Sequence, residues 1–280
     1  MLTRTTHPNG VVTWQSPLLQ SIGVPHAFTT RIGGVSPPPF DSLNLGNPAS
    51  CDSPDTHEHL QENYSRLQAA IAPGQHMLRA WAKQVHGIRV IQIEAEPESE
   101  YAESIDALIR DRFSGQVEAD GLITSMPNLF VTVRIADCVP LLFADDSGRT
   151  VAAVHAGWRG VVNNIAARTV RAFAESDIPA ASLRVAIGPH ISLPHFEVGP
   201  EVAAAFRQAD LAPAVHDNLG PKPHIDLQQA LLLQLSRLGI THIDPTDQCT
   251  ASNTADFFSH RRDDGITGRM AALIAPKPPK

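Results

Sequence analysis

Cysteine is scarce in this 280-residue sequence: Cys51, Cys138 and Cys249 are an odd number and lie far apart. That argues against a disulfide framework, which a chain of this length does not need, and points to a reducing compartment. Long hydrophobic runs are missing too. No stretch of 18 apolar residues occurs, so no membrane-spanning helix is expected. The opening MLTRTTHPNGVVTW lacks the apolar segment of a secretory signal, which makes the cytoplasm the expected location. Positive charge is sparse and scattered, with 22 Lys and Arg against 29 Asp and Glu, a net charge of -7. Aromatics make up 5% of the chain and form no stripe with basic residues, so nucleic acid is not an expected partner.

What is present is a globular composition: 42% hydrophobic and 18% charged residues suffice for a sizeable core. With no repeat and no linker-like stretch, residues 1–280 read as a single domain. The acidic segment Glu94–Ser104 reads as a solvated loop and Pro276–Lys280 as a polar end. Ser53 and Pro54 read as an N-cap and first helical residue, followed by Leu60, Tyr64, Leu67 and Ile71 at helical spacing until Pro73-Gly74. A second helix is expected after Gly160, with Val161, Ile165, Thr169 and Phe173 along one face. Pro200 opens a third, carrying Val202 and Phe206. Asp226 caps a fourth, lined by Leu227, Leu231, Leu235 and Leu238 and ended by Gly239. Strands are expected at Ile88–Ile93, Gly121–Thr124, Leu129–Ile135, Val139–Ala144, Thr150–His155, Leu183–Ile187 and Met270–Ala275, all β-branched or apolar runs between turn residues. Strands and helices alternate only loosely, and at least one strand pair reads as antiparallel. The fold class is therefore α/β with a mixed sheet rather than a doubly wound parallel one.

That antiparallel pair carries chemistry. Asp145-Asp146-Ser147-Gly148 is a turn sequence between two apolar runs. A hairpin centred between Asp146 and Ser147 sets Cys138 directly opposite His155, with both side chains on one face and Cβ atoms about 4.5–5.5 Å apart. A thiolate and an imidazole at that separation can share a tetrahedral ion. His86, in KQVHG before the strand at Ile88, is the best candidate for a third ligand. Three protein ligands and an open fourth position is the pattern of catalytic zinc. The same residues also suit a buried thiol and two ordinary histidines, and spacing alone leaves both readings open.

Seven stretches carry a wider resemblance: TTRIGGVSPPPFDSLNLG (Thr29–Gly46), KQVHG (Lys83–Gly87), EADGLIT (Glu118–Thr124), ADCVPLLF (Ala136–Phe143), AVHAGWRG (Ala153–Gly160), IGPHIS (Ile187–Ser192) and CTASNTADFFSHRRDDGITGRMAALI (Cys249–Ile274). In these, and in their order, the sequence resembles the YfiH family, also called the laccase-domain or multicopper polyphenol oxidase family. The resemblance implies a mixed-sheet layered α/β sandwich rather than a cupredoxin. It implies zinc on the histidine of the Q-V-H-G segment, the cysteine of A-D-C and the histidine of H-A-G-W-R-G, here His86, Cys138 and His155. It also implies a purine nucleoside phosphorylase acting on inosine, adenosine or methylthioadenosine, with adenosine deaminase activity alongside. The partners would then be a purine nucleoside and phosphate, and the assembly a monomer or homodimer. The older family name suggests a copper-dependent polyphenol oxidase. Of the 13 histidines only His57 and His59 form an H-x-H pair, so copper would bind adventitiously. A peptidoglycan-precursor editing role, ascribed to some bacterial relatives, is the remaining alternative. Two departures stand out: GPHISLPHFEV lacks the usual cysteine pair of that segment, and His260 replaces the usual tyrosine.

Further candidates follow from the same segments. Gln84 and Asp137 flank two of the metal-ligand positions, and Asp120 is a further acid; these three are the catalytic candidates. Arg31 and Asn44 in the Gly-rich first segment are expected to bind substrate. Arg159 lies where a strand gives way to a helix N-terminus, a favourable place for an anion. Ser259, Arg261 and Arg262 form a polar cluster suited to an oxyanion, with one of the two arginines expected to be structural.

Overall fold

The computed structural model describes residues 1–48, 52–94 and 117–278. Cys51 and nearly all of the acidic segment after Glu94 lie outside the described residues. Two six-stranded mixed sheets form the centre. With strands numbered in chain order, the first sheet runs β1 (Thr3–Thr6), β2 (Val12–Gln15), β3 (His26–Thr29), β14 (Met270–Ile274), β7 (Leu129–Ile135), β4 (Leu78–Trp81). The second runs β13 (His242–Asp244), β10 (Leu183–Ile187), β8 (Val139–Asp145), β9 (Val151–Ala156), β6 (Gly121–Thr124), β5 (Val90–Ile93). The pairs β4–β7, β5–β6 and β10–β13 are parallel and the other pairs antiparallel, which is the mixed arrangement expected. A small hairpin joins β11 (Val215–His216) to β12 (His224–Ile225).

The sheets stack face to face because their central strands are apolar on both sides. Val131 and Val133 of β7, with Ala272 and Ile274 of β14, meet Leu142 and Ala144 of β8 and Val151 and Ala153 of β9 in one buried cluster. The alternate residues face outward. Phe130 and Leu273 pack with Leu67 of α2 (His57–Ile71) on the outside of the first sheet. Leu141, Phe143 and Val154 pack under helices on the outside of the second. These are α3 (Trp158–Val162), α4 (Ile165–Ala174), α5 (Pro200–Gln208) and α6 (Leu227–Arg237). A short α1 (Pro17–Gln20) sits against β10 and β13. The result is a layered sandwich of helix, sheet, sheet and helices. Among the described residues no helix is long and apolar enough to cross a membrane.

Local chemistry moved several expected boundaries. Thr56, not Ser53, caps α2, its hydroxyl accepting from the His59 amide at 3.2 Å. The single helix expected after Gly160 is two, because Asn164 takes a left-handed backbone (φ 60°) and caps α4 through the Ala167 amide at 3.1 Å. Asparagine tolerates that conformation better than most side chains. Asp226 does cap α6, accepting from the Gln229 amide at 2.9 Å, and Gly239 beyond its end has φ 80°.

The β8–β9 register is the correction that matters most. His155 pairs with Pro140, not Cys138. Strand β8 runs on through Asp145, whose carboxylate accepts from the Ser147 amide at 3.0 Å and the Thr150 amide at 2.8 Å, so the turn lies one residue later, with Gly148 at φ 71°. Shifting the centre of a hairpin by one residue moves each cross-strand partner by two. Because side chains alternate with a period of two, Cys138 stays on the same face as His155, offset diagonally rather than directly opposed.

Candidate metal centre

That shared face is the one turned toward the first sheet, so His155 and Cys138 lie where the inter-sheet layer opens at the strand ends. His86 reaches them from the connection between β4 and β5, which passes from one sheet to the other. The potential ligand atoms of His86, Cys138 and His155 all lie within 4.8 Å of one another, and the two imidazole rings meet edge to face with centroids 5.0 Å apart. His155 is buried, Cys138 half-buried and His86 exposed, so the cluster has one side toward solvent.

Asp120 holds this geometry. Its fully buried carboxylate accepts from the backbone amides of Val85 (3.2 Å), His86 (3.0 Å) and Gly87 (2.7 Å), and from His155 Nδ1 at 2.8 Å. The first three bonds fix the loop on which His86 adopts φ 59°, a left-handed conformation costly for a residue with a Cβ. The fourth fixes the His155 ring and leaves Nε2 toward the cluster, the arrangement in which a carboxylate orients a metal-ligating histidine. Burial pulls the Asp120 pKa upward, but the His155 bond and charge with the Gly87 and Val85 amides hold it below the ordinary carboxylate value. Gly157 completes the fit, since a Cβ there would lie 2.7 Å from His86 Cδ2 and 3.3 Å from Cys138 Sγ.

The electrostatics favour a cation. Burial pushes the Cys138 thiol up, but His155 and then His86 bring it down to about 6. Burial pushes His155 down, but the Cys138 charge and Asp120 raise it to about 9. Each group favours the charged form of the other, a thiolate beside an imidazolium, and a divalent cation is the natural replacement for that imidazolium proton. Two imidazoles and a thiolate suit tetrahedral zinc, and the set also resembles in type the ligands of a copper site.

The other expected residues divide sharply. Gln84 is committed to backbone: its amide donates to the Arg134 carbonyl and accepts from the Arg134 amide, both at 2.7 Å, extending the β4–β7 pairing. Asp137 (φ 90°) points away from the ligands and accepts from Thr250 Oγ1 at 2.6 Å and the Arg261 amide at 2.7 Å. Both side chains are thus engaged within the protein. Asn44 is fully buried, donating to Asp55 Oδ2 at 3.1 Å and accepting from the Arg269 amide at 2.9 Å, so its side chain ties loop segments together. Arg31 is held by Asp41 (3.0 Å) and lies over the Phe258 ring. Ser259 is fully buried in a turn. Arg262 spends its guanidinium on Asp263 and on the carbonyls of Thr250 and Phe257. Of the arginine pair it is the half-buried one.

Two exposed guanidiniums remain. Arg159 lies over Trp158, next in the chain to Gly157, and Arg261 lies beside Phe196 while donating to the His195 and Glu197 carbonyls at 3.2 and 3.0 Å. Phe196 and Thr250 were not singled out from sequence, and Gly157 was read only as part of the turn that opens a helix. The paired glycines of AGWRG were a signal of close approach; nothing in the sequence marked Thr250.

A family model described as multi-copper polyphenol oxidoreductase laccase matches residues 25–277. The chain belongs to the YfiH family. Among relatives bearing that family's name is the purine nucleoside phosphorylase YfiH of Escherichia coli, 39% identical with 91% of this chain and 95% of that protein covered. A purine nucleoside phosphorylase of Deinococcus radiodurans is 37% identical over 92% of each chain. Among YfiH-family structures, YlmD from Geobacillus stearothermophilus superposes with a TM-score of 0.82 at 30% identity over 98% of each chain. Bacillus licheniformis YfiH gives 0.81 at the same identity, covering 98% of this chain and 99% of that one. The layered sandwich is thus the family fold and not a cupredoxin.

Proposed function

We propose that this chain is a zinc-dependent purine nucleoside phosphorylase, with His86, Cys138 and His155 as the protein ligands of the ion. The observation that carries the reading is the half-open cluster of two imidazoles and a thiolate, in a chain similar along nearly its whole length to proteins named purine nucleoside phosphorylase. The ion, when bound, supplies Lewis acidity beside the substrate. Asp120 keeps the loop of His86 and the ring of His155 in place. Arg159 and Arg261 are the exposed guanidiniums that suit phosphate, which needs charge-assisted donors in a fixed position while the glycosidic bond breaks. Trp158 and Phe196 beside them offer flat apolar faces to a purine.

Adenosine deamination is a second activity compatible with the same open side. A laccase-type oxidase is disfavoured: the described residues gather one three-ligand set, whereas that chemistry needs several coppers.

The test is chromatography of zinc-loaded protein incubated with inosine, adenosine or methylthioadenosine, with and without phosphate. Phosphate-dependent release of free base, lost in Cys138→Ala, is expected. No base from any purine nucleoside at any phosphate concentration overturns the reading, and brings peptidoglycan-precursor editing forward.

A further inference from the structure

Asp137 is nearly buried, at 8% exposure, and its polar groups bind three separate segments. Its carbonyl accepts from the Ile191 amide at 2.9 Å. One carboxylate oxygen accepts from Thr250 Oγ1, the other from the Arg261 amide. Thr250 is itself fixed, because its carbonyl accepts from the Arg262 guanidinium at 2.9 Å and its amide donates to the His190 carbonyl at 2.9 Å. From the backbone nitrogen held by Asp137, the Arg261 side chain runs out to the carbonyls flanking Phe196. Cys138 follows Asp137 directly. One residue thus ties a metal-ligand position to an exposed guanidinium that is far away in sequence.

We propose that Asp137 is a positioning residue: it latches Arg261, and with it an oxyanion subsite for phosphate, to the metal centre. The phosphate assignment rests on the functional reading above. The carboxylate does its work as a bidentate acceptor, not as a proton carrier. An asparagine can keep the latch, its Oδ1 accepting from the Arg261 amide and its Nδ2 donating to the Thr250 hydroxyl, which has lone pairs to spare. An alanine cannot. A proton-transfer group would give the opposite pattern, since asparagine and alanine would be equally inactive.

The experiment compares zinc-loaded wild type, Asp137→Asn, Asp137→Ala, Arg261→Ala and the double variant Asp137→Ala/Arg261→Ala. Three readouts are taken: calorimetric titration with inorganic phosphate, amide hydrogen exchange over residues 259–263, and steady-state rates. Asp137→Ala is expected to weaken phosphate binding on the order of tenfold, the loss of one well-placed charge-assisted contact. It should also speed exchange in 259–263 while zinc content stays at the wild-type level. Asp137→Asn should stay within about threefold of wild type in both, and in the Arg261→Ala background Asp137→Ala should cause no further loss of phosphate affinity, because one residue acts through the other. Should Asp137→Ala fail to fold, Thr250→Val removes one of the two side-chain bonds and is expected to give the same changes at reduced size. Wild-type affinity and exchange in Asp137→Ala, or in Thr250→Val where it stands in, overturn the latch. Asp137→Asn as impaired as Asp137→Ala, or wild type that binds no phosphate, overturns it equally. A protein that binds phosphate through the latch yet cleaves no nucleoside sinks the phosphorylase reading alone.

Discussion

Asp120→Asn is the most incisive single perturbation. Asparagine has nearly the same shape but keeps one acceptor oxygen where aspartate has two. Placed at Oδ1, that oxygen still accepts from the His86 amide and His155 Nδ1. The new Nδ2 then faces the amides of Gly87 and Val85, donor against donor, where Oδ2 accepted at 2.7 and 3.2 Å. A buried N–H without an acceptor costs about 1–3 kcal/mol. Val85 is 43% exposed, so water relieves part of its loss, and the sum is about 2–4 kcal/mol. For a chain of this size that lowers the melting temperature of metal-free protein by on the order of 5–10 °C. The larger effect should fall on the metal. With the left-handed turn at His86 loosened and no negative charge behind His155, zinc affinity is expected to drop roughly 10–100-fold, as for other carboxylates that orient ligand histidines. Competition with a chromogenic chelator measures the second quantity and calorimetry of apo-protein the first. Zinc affinity within twofold of wild type, together with an unchanged melt, would refute the assignment of Asp120 as the group that shapes the centre.

Gly157→Ala sets a Cβ 2.7 Å from His86 Cδ2, and overpacking of this kind costs about 1–3 kcal/mol. Zinc affinity should fall by roughly that free energy, about tenfold or more; chelator competition equal to wild type would contradict the close contact. Gln84→Ala removes two 2.7 Å bonds to Arg134 and should cost about 1–3 kcal/mol of stability in denaturant titration, while turnover per bound zinc stays within twofold. Loss of turnover out of proportion to stability would restore Gln84 as a catalytic candidate. His26 is buried with its Nε2 accepting from the Ser16 amide, and burial depresses its pKa from 6.5 to about 4. The unfolded chain takes up a proton that the folded one refuses, so the contribution is complete above pH 6.5 and lost as pH falls through 4. It amounts to about 2 kcal/mol already by pH 5. A His26→Gln variant should lack this part of the stability slope between pH 7.5 and 5, and equal slopes would rule the neutral buried ring out.

Much of this was legible in the residues. Leu129–Ile135 and Leu183–Ile187 could be delimited because strands largely buried on both faces are written as mainly apolar, β-branched runs, broken here only by Thr132, Arg134 and Arg184. The strands β1 to β4 were not seen: at four residues each, with polar residues such as those of TRTT, they are too short for a period to emerge. Cys138 and His155 were brought together by a hairpin argument whose register was wrong and whose face was right, because the error was even in partner number. The hydrogen bonds of Asn44, Ser259 and Arg262 could not be read from the sequence, for a common reason. Their side chains look available in a one-dimensional string, and only the fold reveals that carbonyls and amides from remote segments have already claimed them.

The crossing of His86 from one sheet to the other also bears on how the chain assembles. Cys138 and His155 belong to a local hairpin and come together as soon as β8 and β9 pair, a microsecond-scale event for an isolated hairpin. His86 must be delivered by a long-range closure that also docks the two sheets. A half-built chain therefore already presents two donors to a passing cation. A cation captured at that stage would act as a nucleation point onto which the crossing segment closes. Refolding that speeds up with zinc, and slows when Cys138 is absent, is the kinetic trace such an order of events leaves behind.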